Sequence, residues 1–418
     1  MLIEEILEID ETNKPQIIGS GLVTLDVIMK KSKKNIEIIS LQAGGTCGNV
    51  LTILSFFGWN SYPIVRFNNN FASIEIVNDL KKWGVLTDYF LFNEKDLAPI
   101  IIEKIYTNKE IPTHSFSFIC PKCNAFLPRY RAATLKQIKS LEKQFITNPS
   151  IFFFDRVSAG NVKLAKRFAE QGTLVVFEPP KERNSKLFNK AIKNCHILKY
   201  SNQRNGKISS LSKDVKPDLE IITLGAEGLE YRFNYLNEDW KTLEPFQLNS
   251  FKDSAGAGDW CSAGLLHIIG QKGLKGLQES NMEKIEFALN FGQALAALNC
   301  KFYGARGLMY SLNRKEIISV INKMFSDKSI KMSEKVINKS KSQKMTLVKI
   351  CPRCNYYINI GDLHKEITTS SNNHLLNKFS KFVDQFNMKS KTPISDFDLE
   401  NTPKKRTSLK VQSVNKEN

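Results

Sequence analysis

The chain has 418 residues, which is long enough for one large or two ordinary domains with a buried core. Its composition, 42% hydrophobic and 24% charged, is typical of a soluble globular protein. No apolar run approaches the roughly 20 residues that a membrane helix needs. The N-terminus, Met1 to Glu5, is acidic and lacks the basic and apolar regions of a secretory signal. We therefore expect a cytoplasmic protein with no membrane partner.

The positive charge is unevenly distributed along the chain. The formal net charge is +18, and residues 331–418 contribute half of it, with 17 Lys and Arg against 8 Asp and Glu. This pattern favours a solvated tail, and attraction to a nucleic acid or an acidic surface is the alternative. We expect an extension at 326–365 and a polar basic tail at 366–418 that is largely disordered.

The first third of the chain predicts strands and helices in alternation. The expected strands lie at 16–23, 36–41 and 62–65, and the expected helices at 49–57 and 74–83. Three β-like stretches then follow without a convincing helix between them, at 88–92, 99–106 and 114–119. They predict a small β-sheet lid within about 88–120.

Regular alternation resumes after the lid. Near-continuous apolar runs, typical of parallel strands covered on both faces, occur at 151–154, 174–177, 197–200 and 220–224. Shorter pieces that suggest an antiparallel edge occur at 228–235 and 240–248. Helical patterns occur at 162–171, 258–269, 283–298 and 314–325. Residues 15–325 therefore predict a three-layer α/β domain with a mainly parallel sheet.

The segment from Asp253 to Asp259 has the features of a phosphate cradle. It follows a predicted strand and opens an apolar helical run at 260–266. Small residues at 255–258 let backbone N–H groups approach an anion, and a helix N-terminus adds free donors with partial positive charge. Asp259 is then either a helix-favouring acid or a base that takes a proton from a substrate hydroxyl.

Residues 253–266 resemble the C-terminal signature of the ribokinase-like (PfkB-type) carbohydrate kinases. Three further stretches resemble family motifs, in family order. Residues 19–26 are similar to the first strand and its substrate-binding Asp, 44–49 to the Gly-Gly-x-x-x-Asn signature, and 223–228 to the Thr-x-Gly-x-x-Gly turn beside the nucleotide. The resemblance covers residues 16 to about 325 and implies the ribokinase-like fold.

The resemblance also implies site residues. Asp259 would be the general base, and the anion hole would be formed by the amides of Gly256, Ala257 and Gly258. The residues that would bind the acceptor are Asp26, Gly44, Gly45 and Asn49. The residues that would lie beside the nucleotide are Thr223, Gly225, Gly228 and Asp253. ATP and Mg²⁺ are the implied cofactors, a sugar or nucleoside is the implied substrate, and family members often form homodimers through the lid.

Three parts of the sequence depart from the family pattern. The loop at 66–71 replaces a Gly/Asp-containing loop that usually touches substrate, which leaves the acceptor open, and Cys47 stands where the first signature has a small residue or Pro. Ser201 and Arg204 replace the Asn and Glu of the Asn-x-x-Glu motif, whose Glu helps to organise Mg²⁺ and phosphates. Arg204 could bind phosphate directly, could mark a weakened site, or could be an exposed side chain without a role.

Four of the eight cysteines form two similar pairs, which lie in Ile-Cys-Pro-Lys-Cys-Asn and Ile-Cys-Pro-Arg-Cys-Asn and consist of Cys120, Cys123, Cys351 and Cys354. Each pair resembles a zinc knuckle, and two knuckles supply the four thiolates of a closed structural zinc site. The matching context favours one shared Zn²⁺ site that ties the extension to the lid. Separate redox pairs and buried thiols are the alternatives, and His114 and His364 are further candidate ligands.

These observations support two functional hypotheses. The first is an ATP-dependent, Mg²⁺-assisted kinase that phosphorylates a hydroxyl of a sugar or nucleoside. The second is a kinase-derived binding or regulatory protein with vestigial phosphotransfer, whose zinc-tied basic extension contacts a nucleic acid or a protein. The reversed charge at Arg204 motivates the second hypothesis.

Overall fold

The computed structural model of the protein describes residues 9–31, 36–106, 113–144, 148–181, 186–205, 208, 216–236, 239–327, 329–330 and 346–360. All of them belong to one compact unit, Met1–Ile367. The predicted tail and the candidate ligand His364 lie outside the described residues.

The strands, in chain order, are β1 (Gln16–Ser20), β2 (Thr24–Lys31), β3 (Ile36–Gly44), β4 (Asn60–Phe67), β5 (Phe90–Phe92), β6 (Ile100–Tyr106), β7 (Thr113–Ser117), β8 (Ile151–Phe154), β9 (Leu174–Phe177), β10 (Ile197–Ser201), β11 (Leu219–Thr223), β12 (Leu229–Phe233), β13 (Lys241–Leu243), β14 (Gln247–Leu248), β15 (Ser329–Ile330), β16 (Thr346–Cys351) and β17 (Tyr356–Ile360).

The helices are α1 (Thr46–Phe56), α2 (Phe71–Lys82), α3 (Leu135–Leu141), α4 (Ala159–Glu170), α5 (Lys186–Lys193), α6 (Asn202–Asn205), α7 (Ala257–Ile269), α8 (Leu274–Gln278), α9 (Met282–Asn299), α10 (Gly307–Ser311) and α11 (Arg314–Asp327). No helix among the described residues is both long enough and apolar enough to cross a bilayer.

The main sheet has nine strands in the order β13-β12-β11-β10-β9-β8-β1-β4-β5. The strands from β11 to β5 in this order pair in parallel, and β12 and β13 form an antiparallel edge. Every residue of β8 is buried, because helices cover both faces of the sheet. The predicted mainly parallel sheet with an antiparallel edge is therefore confirmed.

Two apolar cores make the body of the domain three-layered. Helices α1, α7 and α9 cover one face of the sheet, where Leu51 and Trp260 are fully buried. Helices α3, α4 and α5 cover the other face, where Phe168 and Phe188 are fully buried. The carboxyl ends of the central parallel strands thus open at one edge of the sheet, between these helical layers.

Several helices begin earlier than the apolar periodicity predicts, because a polar side chain caps the first turn. Asn70 accepts a hydrogen bond from the amide of Ser73 at 2.9 Å, so α2 begins three residues before the predicted start at 74. Ser158 accepts from the amide of Asn161 at 3.0 Å and places the start of α4 three residues before 162 in the same way.

The lid is a four-stranded sheet in the order β3-β2-β6-β7. The N-terminal segment supplies half of it, because β2 pairs in parallel with β6 and antiparallel with β3. Strand β2 was not predicted from the sequence, because its eight residues follow β1 after only Gly21, Leu22 and Val23. The predicted β stretch at 88–92 also differs, because β5 pairs with β4 in the main sheet rather than joining the lid.

The C-terminal extension contains the antiparallel hairpin β16–β17. This hairpin lies against helix α2 of the body and strand β3 of the lid. The second cysteine pair is at the turn of the hairpin, which brings the pair to the lid.

Candidate active site and cysteine cluster

The loop before α7 is held in one conformation by buried hydrogen bonds. Gly256 has a φ of +72°, and a Cβ atom there would come within 2.2 Å of the carbonyl oxygen of Ala305, so only glycine fits. Asp253, which is buried, accepts from the amide of Ala255 at 3.0 Å and from the amide of Gly304 at 2.8 Å. The sequence analysis expected Asp253 beside the nucleotide, and the structure places its carboxylate against the backbone of this loop.

Asp259 lies in the first turn of α7, directly after this loop. The side-chain amide of Asn49 donates a hydrogen bond to Oδ2 of Asp259 at 2.7 Å. Burial raises the pKa of Asp259 to about 7, and the negative charge of Glu178 adds to the effect. The structure therefore brings two of the predicted site residues, Asn49 and Asp259, into direct contact although they are 210 positions apart.

A buried ion pair that the sequence analysis missed lies behind Asp259. Lys199 Nζ donates to Oε1 of Glu178 at 2.6 Å and to the carbonyl oxygen of Gly258 at 3.0 Å. The hydroxyl of Ser262 donates to the other carboxylate oxygen of Glu178 at 2.6 Å. Glu178 follows β9 and Lys199 lies in β10, so two parallel strands deliver a charge pair to the start of α7.

The predicted acceptor-binding residues meet between the lid and the body. Asp26 is buried in β2, and the hydroxyl of Thr24 donates to it at 2.5 Å. A Cβ atom on Gly44 would come within 1.8 Å of Oδ2 of Asp26. Glycine at this position of β3 therefore leaves room for the carboxylate that extends from β2. Burial raises the pKa of Asp26 to about 6, although a hydrogen bond donated by the amide of Gly45 lowers it in part.

A second buried acid, Asp155, faces the same region and was missed by the sequence analysis. It follows β8, accepts from the amide of Leu22 at 2.8 Å and pairs with Arg156 at 2.7 Å. Burial raises its pKa to about 6. A Cβ atom on Gly21 would lie 1.7 Å from Oδ1 of Asp155.

A pocket beside this acid is lined by residues that include Gly21, Arg66, Tyr130 and Arg131. Arg66 belongs to the predicted departure at 66–71, and its guanidinium donates two hydrogen bonds of 2.9 Å to Asp96. Arg66 therefore forms part of the pocket wall with its charge already paired.

The predicted nucleotide turn lies beside helix α6. Thr223 ends β11, and Gly225 and Gly228 have φ values of +69° and +88°. A Cβ atom on Gly225 would lie 3.1 Å from Nε2 of Gln203, which places the turn against α6. Arg204, on the same helix, is exposed. Its positive charge lowers the pKa of Asp259, but the effect of burial, which raises that pKa, is larger. The turn and Arg204 therefore flank the region in front of Asp259.

The four cysteines of the two predicted knuckles come together. The Sγ atoms of Cys120 and Cys354 are 3.7 Å apart, and those of Cys123 and Cys351 are also 3.7 Å apart. All four sulfurs lie within 4.8 Å of one another. These distances show one shared cluster of thiols, without disulfide bonds.

The two knuckles share a local conformation. The residue after each pair, Asn124 or Asn355, has a φ of +58° or +51°, in the left-handed region that Asn tolerates. The amide of Lys122 points at Sγ of Cys120 at 3.4 Å, as expected for a turn that stabilises a thiolate. Although burial opposes it, hydrogen bonds from backbone amides of the second knuckle lower the pKa of Cys351 to about 7.

The cluster has the dimensions of a tetrahedral zinc site. A zinc ion about 2.3 Å from each of four thiolates sets neighbouring sulfurs about 3.8 Å apart. The measured separations of 3.7 Å fit that arrangement. His114, a candidate ligand from the sequence, lies elsewhere, with Nδ1 3.3 Å from Asp253 Oδ1 and 3.2 Å from Ser254 Oγ.

Solved structures of sugar and nucleoside kinases share this fold. Fructokinase with bound ATP from Xylella fastidiosa is 16% identical, with a TM-score of 0.58, over 75% of this chain and 99% of that one. Ribokinase from Arabidopsis thaliana, complexed with ribose and ATP, is 14% identical, with a TM-score of 0.52, over 74% of this chain and 99% of that one.

Aminoimidazole riboside kinase from Salmonella enterica, complexed with its riboside and an ATP analogue, is 16% identical, with a TM-score of 0.53, over 73% of this chain and 99% of that one. No protein-family model matches the sequence, and no curated protein matches it. The predicted ribokinase-like fold is thereby confirmed, and the cysteine cluster fits the predicted zinc-knuckle-like extension.

Proposed function

We propose that this chain, which has the ribokinase-like fold, is a kinase that transfers the γ-phosphoryl group of ATP to a hydroxyl of a sugar or nucleoside. The observation that carries the proposal is the position of Asp259. Its carboxylate lies at the N-terminus of α7, directly after a glycine loop, and burial raises its pKa to about 7. A base with a pKa near the working pH is suited to proton transfer from a hydroxyl.

In the proposed reaction Asp259 accepts the hydroxyl proton while the hydroxyl oxygen forms a bond to the γ-phosphorus. The bond from that phosphorus to the oxygen of the departing ADP breaks. The amides of Gly256, Ala257 and Gly258 lie at the start of α7 and would hold the oxygens of the migrating group. In this structure the amide of Ala257 donates to the carbonyl oxygen of Ser254 at 3.2 Å, so it would have to exchange that partner for the phosphoryl group. Asn49 keeps the carboxylate of Asp259 oriented through its 2.7 Å hydrogen bond.

The nucleotide would bind beside Thr223, Gly225 and Gly228, with Arg204 pairing with a phosphate. A guanidinium can contact phosphate through two parallel hydrogen bonds. Mg²⁺, when bound with ATP, would neutralise phosphate charge. Glu178 would be a carboxylate close to that ion, since its charge acts on Asp259, and it would then exchange its present partners Lys199 and Ser262 for the ion.

The acceptor would lie between lid and body, where Asp26 and Asp155 present buried carboxylates. Carboxylates accept hydrogen bonds from hydroxyl groups, so both side chains would suit a polyol. Fructokinase, ribokinase and a riboside kinase among the similar structures make sugars and ribosides the first acceptors to test.

The cysteine cluster would hold a structural Zn²⁺ through Cys120, Cys123, Cys351 and Cys354. Four thiolates fill a tetrahedral zinc ion and leave no position open for substrate. The ion would fasten the β16–β17 hairpin to the residues that follow β7.

The second candidate function is a kinase-derived binding protein, and Arg204 is the observation that favours it. An exposed Arg stands where the family motif has the Glu that organises Mg²⁺. Under this alternative, the chain would bind ATP without turning it over.

The test is a coupled assay of ADP formation with a panel of sugars and nucleosides. We expect turnover with at least one acceptor, and a fall of about 10²–10⁴-fold in kcat for Asp259→Asn. Asp239→Asn, which changes an exposed acid, is the matched control and should behave as wild type. Wild type that binds ATP but turns over no acceptor would support the binding protein. Full activity of Asp259→Asn would refute the assigned base.

A further inference from the structure

A second group of potential metal ligands lies where the lid meets the loop before α7, here called the anion-hole loop (253–258). It consists of Glu103 in β6, His114 in β7 and Asp253, and its ligand atoms all lie within 4.8 Å of one another. Among the described residues, this group and the four cysteines are the clusters with such a geometry. The resemblance to known kinases accounts for neither Glu103 nor His114.

One of the three side chains, that of Glu103, is incompletely hydrogen-bonded without a cation. Glu103 has 1% of its surface exposed, and its Oε1 atom has no hydrogen-bond partner. The side chain of Asp253 is also fully buried. Two carboxyl groups at such close range repel each other when both are ionised, and burial away from water makes that repulsion stronger. A buried acceptor with no donor is rare in folded proteins, and a bound ion is one of its standard explanations.

We infer that Glu103, His114 and Asp253 form a site for a divalent transition-metal ion that connects the lid to the anion-hole loop. One imidazole and two carboxylates are a donor set that zinc, manganese and cobalt accept. Nδ1 of His114 is 3.3 Å from Oδ1 of Asp253, a usual separation for two ligands of one ion. Oγ of Ser254, 3.2 Å from the same nitrogen, adds an oxygen at the edge of the site.

The site also has hydrogen bonds that hold one ligand in place, and it is partly exposed to solvent. Backbone amides of Ala255 and Gly304 hold the two oxygens of Asp253, so the carboxylate is fixed before any ion arrives. The side chain of His114 is 24% exposed, so the site borders solvent on the His114 side. An ion here would join β6 and β7 to the residues that precede Gly256.

The experiment uses the full chain with its cysteine cluster loaded with zinc. Co²⁺ is added without nucleotide, while visible absorption and Tm are followed. We expect saturable binding with weak visible bands that lack thiolate-to-cobalt charge transfer, together with a rise in Tm. Removing a ligand should weaken Co²⁺ binding at least about tenfold in both Glu103→Gln and His114→Gln. Ser115→Ala, an exposed neighbour on the same strand, should bind Co²⁺ as wild type does.

Two results would overturn the inference. One is a wild-type spectrum that shows thiolate charge transfer alone, since the cobalt would then occupy only the cysteines. The other is unchanged affinity in the variants. If the buried Glu103→Gln change prevents folding, the partly exposed His114→Gln variant decides the matter by itself. None of these outcomes depends on whether the chain is a kinase.

Discussion

Strand β8 of the body and strand β7 of the lid are held in place by different forces. All four residues of β8 are buried, whereas none of the five residues of β7 is. Near β7 the large side chains Phe116, Phe118 and Phe126 are 46%, 48% and 64% exposed. Residues 113–126, here called the outer lid, are joined to the lid sheet by the backbone ladder between β6 and β7. Their further contacts with the rest of the chain include two polar ones, namely His114 against Asp253 and the cysteine cluster.

The contrast implies that the body and the outer lid should respond to different changes. The stabilisation that comes from apolar burial is spread over many contacts and is roughly proportional to the buried area, so it holds the body together as a unit. A few thiols and carboxylates fix the outer lid, so single polar substitutions or a chelator should loosen it locally. Three predictions test this division.

The largest effect on stability is expected in the body. Phe153→Ala removes a fully buried ring from β8 and should lower the free energy of unfolding by about 3–5 kcal/mol. The matched change in the lid, Phe116→Ala, removes an exposed ring and should cost no more than about 0.5 kcal/mol. Denaturant titration measures both, and equal costs at the two positions would contradict the contrast.

The cysteine cluster should matter locally rather than globally. Cys354→Ser removes one thiolate, so the retained zinc should fall by about one ion per chain. Hydrogen exchange should speed up in β7 and in the β16–β17 hairpin, while β8 and β9 stay protected. Cys195→Ser is the control, because Cys195 is a buried thiol of the body outside the cluster. Unchanged zinc content in Cys354→Ser would rule out the cluster as the zinc site.

The smallest and sharpest effect is a shift in the pH profile. Asp259 is a base only when deprotonated, so kcat/KM should rise with pH and level off above the pKa of Asp259, which is about 7. Below that pKa, kcat/KM should fall about tenfold per pH unit. Glu178→Gln removes a negative charge that favours the protonated form, so the midpoint should move to lower pH.

Ser262→Ala serves as the control for that shift. It removes the 2.6 Å hydrogen bond to Glu178 but keeps the charge, so the midpoint should stay closer to wild type. A profile that is the same in wild type and Glu178→Gln would show that Glu178 does not set the pKa of Asp259.

The sequence predicted those parts of the molecule that local pattern determines. The small residues before Asp259 indicate a backbone conformation that larger side chains disfavour, and Gly256 adopts such a conformation with its φ of +72°. The two cysteine pairs were recognisable because each knuckle has the same short sequence around it. Continuous apolar runs such as 151–154 predicted strands covered on both faces, which β8 confirms.

What the sequence could not predict depends on contacts between distant segments. Glu178, Lys199 and Asp155 lie in or just after parallel strands and belong to no short motif, so only the strand order brings their charges to the site. The signal that was available is their polarity at or beside apolar runs, since parallel strands carry functional groups at their carboxyl ends. The contact of His114 with Asp253 joins segments 139 positions apart, and no local pattern encodes it.

The division of the cysteine cluster between two distant knuckles has a consequence for synthesis. Cys123 and Cys351 are 228 positions apart, and the residues between them include most of the body. At a usual synthesis rate the second knuckle leaves the ribosome about 10–50 s after the first. During that interval the first knuckle is a half-site with two thiolates, too few for a closed zinc ion. Metal binding by all four cysteines would therefore occur only after the body has been synthesised, and it would cross-link the chain on both sides of the body.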